Sequence, residues 1–234
     1  MPEMHDHAHM HGSPGSAPLE APRVPGARPR LKDHLFWPAI ALFIICVITT
    51  ALLGATNALT ADPIAKQLAL AKNEARQAAL QAASFEPIDL AALQAADPNG
   101  YAAALGTGKR AFSEASYGND ASGATTGLVV LVDTRGYADG LQIMIGIAAD
   151  GTVSGIRVLA DSETPGLGKK VRDDAFLKGL LGKPTANGFA VAKLATGDVV
   201  PVDAVTGATI SSKALIDAVN AVARLNALLQ KGGA

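Results

Sequence analysis

Apolar and polar positions recur along this chain on three different periods, and each period predicts a different kind of element. Residues 35–61 are one unbroken apolar run: these 27 positions, bounded by His34 and Asp62, hold no Asp, Glu, Lys or Arg. As a helix rising about 1.5 Å per residue, such a run reaches roughly 40 Å, more than the ~30 Å hydrocarbon core of a bilayer. It predicts a single transmembrane helix, with Phe36 and Trp37 at headgroup level and Pro38 in the first turn, where a missing N–H is tolerated. A cleavable signal peptide is the competing reading; the 34 residues ahead of the run and the lack of a clear A-x-A exit favour an uncleaved anchor.

Beyond the run the period changes to that of an amphipathic helix. Asp62-Pro63 reads as a helix start, and Ile64, Leu68, Ala71, Ala75 and Ala79 repeat at helical spacing, which predicts a helix over 62–83 continuing the anchor. Residues 85–108, punctuated by Glu86-Pro87, Asp97-Pro98-Asn99-Gly100 and Gly106-Thr-Gly108, predict turns and little else. From Thr126 the period becomes two. Strands are expected over 127–133, 141–147 and 152–159, joined by the Thr134–Tyr137 turn and the Asp150-Gly151 hairpin. A short helix over 171–181, a strand over 188–194 and a long helix over 211–230 follow, the last with Leu215, Val219, Val222, Leu225 and Leu229 on one face. Strands and helices mixed without βαβ alternation predict an α+β fold. The expected organisation is a tail (1–34), a transmembrane helix (35–61), and a mixed domain (62–234) with an antiparallel sheet and flanking helices.

Composition narrows the function classes. Lys and Arg total 20 against 21 acidic residues, a formal charge of -1, so there is no basic field to hold nucleic acid. The single cysteine, Cys46, excludes an intrachain disulfide framework and a multi-thiolate zinc site. The tail carries six of the 13 prolines and few aliphatic residues, which predicts disorder. Its His5, His7, His9 and His11 can either chelate a transition metal or form a solvated polar tract, and closing a site in a flexible tail costs entropy; no metal site is assigned. Arg23, Arg28, Arg30 and Lys32 before the run outnumber Lys66, Lys72 and Arg76 after it. That bias favours a cytoplasmic tail and an extracytoplasmic domain in the cell membrane.

Two loops hold the candidate chemistry. In Val202–Lys213, Asp203, Thr206, Thr209, Ser211 and Ser212 gather hydroxyls and a carboxylate at the start of the long helix, while Gly207 and Ala208 admit a close approach. A helix amino terminus offers unpaired N–H groups and a partial positive charge, so a phosphate bound or esterified there is stabilised. The same residues also read as an ordinary Ser/Thr cap with a glycine turn. In the other loop, Ser162–Lys170, Pro165-Gly166 suits a type II turn and the glycines let a flat ligand reach the main chain.

Together these segments resemble a known family. Asp62-Pro-Ile-Ala, Gly136-Tyr137, Glu163-Thr-Pro-Gly-Leu-Gly168 and Asp203-Ala-Val-Thr-Gly-Ala-Thr209 are similar to the G subunit of the Rnf ion-translocating electron transport complex. The flavin domain also resembles that of the C subunit of the sodium-translocating NADH:quinone reductase. In that family the motif D-x-x-[ST]-G-A-T-x-[ST] is read by a flavin transferase, which joins FMN through its phosphate to the last threonine. The resemblance thus implies a covalent phosphoester on Thr209, with Asp203, Thr206, Gly207, Ala208 and Ser211 filling the rest of the motif. Glu163, Thr164, Gly166, Leu167 and Gly168 are implied to line the isoalloxazine or its ribityl arm.

The implied role is a membrane-anchored redox subunit that relays electrons in a complex coupling electron transfer to Na+ or H+ movement. Its partners would be the other Rnf components, the membrane and the transferase; no residue is implied as acid, base or nucleophile toward a substrate. The alternatives are the corresponding component of the quinone reductase, a free-standing flavinylated carrier, or a non-redox binding domain whose Thr-Gly-Ala-Thr is only a cap.

Overall fold

The computed structural model describes residues 31–232, which divide into two compact units between Ala58 and Leu59. Residues 1–30 of the tail expected to be disordered, with its four histidines, lie outside the described residues; its last four, 31–34, are instead helical and open α1. Helix α1 (Leu31–Ala79) is continuous through both Pro38 and Asp62-Pro63, so the second pair does not start a new helix. Pro63 only withholds the N–H that would have bonded to the Leu59 carbonyl; helical periodicity on both sides outweighs that loss. The described side chains from Phe36 to Ala71 are all exposed, including Trp37, Phe43 and Leu53. Over residues 36–61 this exposed surface is apolar, and a helix of that length and composition can cross a bilayer.

The second unit is built on five antiparallel strands in sequence order: β1 (Ser84–Pro87), β2 (Arg110–Asn119), β3 (Thr125–Thr134), β4 (Leu141–Ala148) and β5 (Val153–Ala160). The class is α+β, as expected. On β3, Leu128, Val130 and Val132 face the main core while Val129 and Leu131 face the other side; both sets are buried. Period two therefore persists through a strand covered on both faces. Strand β2 had no clean alternation in sequence because its pairing with β3 shifts register between Phe112 and Glu114, so the inward positions change parity there. Between β1 and β2, the punctuated stretch folds as two short helices, α2 (Leu90–Ala96) and α3 (Pro98–Leu105). Asp89 and Asp97 cap them by accepting backbone N–H groups, and Pro98 occupies the first helical position.

The expected 171–181 helix is broken. A 3-10 turn (Gly168–Arg172) and a short helix, α4 (Asp174–Leu177), are separated by Asp173, whose backbone is extended (φ −73°, ψ 141°). The strand expected over 188–194 shortens to β6 (Phe189–Val191), which pairs in parallel with β7 (Val200–Val202). Strand β7 escaped sequence reading because three residues with Pro201 in the middle carry no period. Helix α5 (Thr209–Gly232) then crosses the main core. Leu215, Val219, Val222 and Leu225 are fully buried there in one cluster with Val130, Val132, Ile143 and Ile145; Leu229 is half-buried. Each such side chain contributes about 1.5–3 kcal/mol relative to exposure.

The opposite face of the sheet is covered by the end of α1. Ala75, Ala79 and Leu80 pack on Val129, Leu131 and Met144, and Ser154 Oγ donates to the Ala79 carbonyl at 2.7 Å. Lys72 and Arg76 both pair with Glu114 of β2.

Candidate functional site

Three connections converge at one end of α5. The first is the β3–β4 turn, which carries Tyr137; the second leaves β5 and runs through Glu163 to the 3-10 turn. The third leads from β7 through residues 203–208 into α5. Side chains and backbone of Tyr137, Glu163, Thr164, Leu167, Gly168 and residues 207–211 line a cleft of about 500 Å³ between them.

Each connection is fixed locally. Leu167 N–H donates to the Thr164 carbonyl (3.2 Å) across Pro165-Gly166, and Gly166 has φ +78°, the left-handed value a type II turn requires at that position. Asp161, its side chain only 7% exposed, holds ionic contacts at 3.5 Å to Lys169 and Arg172, closing the loop on itself. In the second loop Ala208 N–H donates to the Val205 carbonyl (2.9 Å) and Gly207 has φ +78°. A Cβ at Gly207 would lie 3.0 Å from Leu167 Cδ2, so the loops touch there.

Helix α5 begins at Thr209, earlier than Ser211: Ser212 N–H donates to the Ala208 carbonyl at 2.9 Å, which makes Ala208 the cap and Thr209 the first helical residue. The N–H groups of Thr209, Ile210 and Ser211 consequently have no carbonyl one turn back within the helix. The hydroxyls nearby divide sharply. Ser211 Oγ is buried and donates to Glu163 Oε2 (2.7 Å), and Ser212 Oγ is buried and accepts from Val205 N–H (3.0 Å). Thr209 is exposed in the cleft, and among the described residues its hydroxyl has no hydrogen-bond partner.

The fold therefore brings Glu163, Thr164, Leu167 and Gly168 against Gly207, Ala208, Thr209 and Ser211. It leaves Gly166, Asp203 and Thr206 exposed beside the cleft rather than lining it. Tyr137 and Ile210 line it although sequence reasoning had not placed them there. Both are large apolar groups left exposed (69% and 58%), a property no local pattern reveals. The residues fit a flavin phosphate: a free threonine hydroxyl at a helix start, unpaired N–H groups beside it, and exposed apolar side chains around a cleft.

The fold and cleft define a membrane-anchored α+β domain with an anion-competent ligand site, and comparison with known proteins agrees. Residues 136–224 match the FMN-binding domain family, and residues 38–81 match the RnfG N-terminal region. The chain is 34% identical over 192 residues, covering 80% of it and 88% of the relative, to the G subunit of the Na(+)-translocating ferredoxin:NAD(+) oxidoreductase complex of Acetobacterium woodii. It is 32% identical over 185 residues (76% and 89%) to the G subunit of the ion-translocating oxidoreductase complex of Methanosarcina acetivorans. A crystal structure of NqrC from Shewanella oneidensis aligns with a TM-score of 0.42 at 24% identity, over 52% of this chain and 61% of that one. The chain belongs to the RnfG family, the G subunits of Rnf-type ion-translocating oxidoreductase complexes.

Proposed function

We propose that this chain is the membrane-anchored flavoprotein subunit of an Rnf-type complex and carries its FMN as a phosphoester on Thr209. The observation that carries the attachment point is the division of hydroxyls: Ser211 and Ser212 are buried and engaged, whereas Thr209 is exposed in the cleft at the first position of α5. Thr209 Oγ1 would form the new P–O bond. A transferase would draw the flavin phosphate from flavin adenine dinucleotide, whose P–O–P bond breaks and whose adenosine half leaves as the monophosphate, while the hydroxyl proton passes to solvent. FMN, once bound, accepts and passes on electrons singly or in pairs.

The chain's own residues hold the group. The first-turn N–H groups of α5 would compensate the phosphate charge, and Tyr137, Leu167 and Ile210 would offer apolar surface to the ring system. Attachment suits an extracytoplasmic domain, where a free cofactor would be diluted away. Other members of the complex supply and receive the electrons. They also supply the ion path, because residues 35–61 contain no Asp, Glu, Lys, Arg or His to carry one.

The test is co-production of the full chain with a flavin transferase, followed by denaturation. Fluorescence should stay on the protein band, and peptide mass should show FMN less one water on the peptide holding Thr209. Thr209→Val keeps the shape and removes the oxygen, so it should abolish the adduct at a stability cost of under about 1 kcal/mol for an exposed site. Flavin retained through denaturation by Thr209→Val would refute the assignment.

A further inference from the structure

One buried charge in the cleft wall is left without a role by attachment alone. Glu163 is only 2% exposed. Its carboxylate sits where a Cβ at Gly136 would lie 2.0 Å from Oε1 and a Cβ at Gly168 2.3 Å from Oε2, so neither position has room for a side chain while the carboxylate stays in this place. Oε1 accepts the Ala138 N–H at 3.3 Å, and Oε2 accepts the Ser211 hydroxyl at 2.7 Å. A single carboxylate thus ties together the β3–β4 turn, the 163–168 loop and the first turn of α5. Burying a carboxylate is costly unless hydrogen bonds compensate, and an apolar side chain fills space without that cost. What an apolar residue cannot do is hold Ser211 by a directional bond, two positions after Thr209.

We propose that Glu163 is a positioning residue for flavin attachment: through Ser211 it fixes the first turn of α5 against the cleft wall and so presents the Thr209 hydroxyl for attack on the flavin phosphorus. This rests on Thr209 being the attachment point. The Glu163–Ser211 bond sets the rotation of the first turn about its axis, and the Ala208–Ser212 backbone bond sets where that turn begins. With both in place the Thr209 side chain projects from a rigid element rather than a loop, which favours an in-line geometry. Loss of the bond would leave the transferase a substrate that binds but seldom aligns.

The experiment measures initial rates of flavin attachment on the full-length apo chain in detergent, with transferase and flavin adenine dinucleotide as donor, as a function of chain concentration. Wild type, Thr209→Val, Glu163→Gln, Ser211→Ala, Ser211→Thr and the Glu163→Gln/Ser211→Ala double variant are compared, with thermal melting of each as the control for folding. Glu163→Gln and Ser211→Ala are each expected to lower the maximal rate by about tenfold or more, the scale of one hydrogen bond to a charged group. The half-saturating concentration should change less than about twofold, as expected when a step after binding is affected. Ser211→Thr, which keeps the hydroxyl, should restore most of the rate. The double variant should be no slower than the slower single one, because Glu163→Gln takes the charge out of the same bond that Ser211→Ala removes.

Near-wild-type maximal rates, a loss confined to half-saturation, or additive effects in the double variant would each overturn the positioning role. If Glu163→Gln does not fold, the Ser211→Ala and Ser211→Thr pair decides by itself. Wild-type chain that takes up no covalent flavin would sink the attachment reading and this proposal with it. Attachment to wild type but not to Thr209→Val leaves that reading standing and makes the remaining variants the judges of Glu163.

Discussion

At the scale of single residues, the site works by dividing similar side chains among different duties. Four hydroxyls crowd the 206–212 segment, yet burial and hydrogen bonding engage Ser211 and Ser212 inside the fold and leave Thr206 and Thr209 exposed. These two differ in turn, because Thr209 lines the cleft and Thr206 does not. Thr206 therefore belongs to the outer surface of the motif. Thr206→Val should raise the half-saturating chain concentration for flavin attachment several-fold while peptide mapping still finds the adduct on Thr209; a shift of the adduct to another hydroxyl would contradict this division. The resemblance had already pointed to Thr209; what local pattern could not show is which of the motif's oxygens stay accessible, since accessibility is a property of neighbours far along the chain. Glu163 lies 48 residues from Ser211 and engages that hydroxyl by one hydrogen bond.

At the scale of elements, two helices meet the sheet by different means. Helix α5 announces itself by an apolar stripe and packs by area, so Leu215→Ala would cost on the order of 2–5 kcal/mol through lost contacts and a residual cavity, measured as a fall in the denaturant midpoint. The end of α1 docks instead through absent side chains. A Cβ at Gly155 would lie 2.6 Å from the Ala79 carbonyl oxygen and 2.7 Å from that of Ala78; at Gly146 it would lie 2.2 Å from the Ala79 oxygen. All of these contacts are with backbone, which cannot swing aside. Gly155→Val should push the last turn of α1 off β4 and β5, at about 1–3 kcal/mol, the usual range for overpacking. Amide exchange at Leu80 and Ala83, and protease sensitivity of residues 80–83, should both rise; unchanged protection would show that the helix end is held elsewhere. Strands β3, β4 and β5 were legible because their alternation is regular. Strand β2 was not, because its register shift breaks the alternation, and helices α2 and α3 were hidden by residues that look like turn punctuation but act as caps.

At the scale of the whole molecule, the chain is a membrane span leading into a ligand-binding domain, and the orientation we propose for it rests on the small excess of basic residues before the span. Protease added outside spheroplasts should digest residues beyond Ala61 and spare the histidine-rich tail; protection of the large domain would reverse the topology. The sequence by itself determined the apolar span, the α+β class and the flavin motif, because each rests on local periodicity or on a short contiguous string of residue types. Only the tertiary structure decided which threonine lines the cleft, where α5 starts, and that Tyr137, Glu163 and Thr209 share one cleft. The physical reason is distance along the chain: burial and hydrogen-bond partnership are set by segments that the sheet brings together, and no local pattern encodes which loops will meet at the end of a helix.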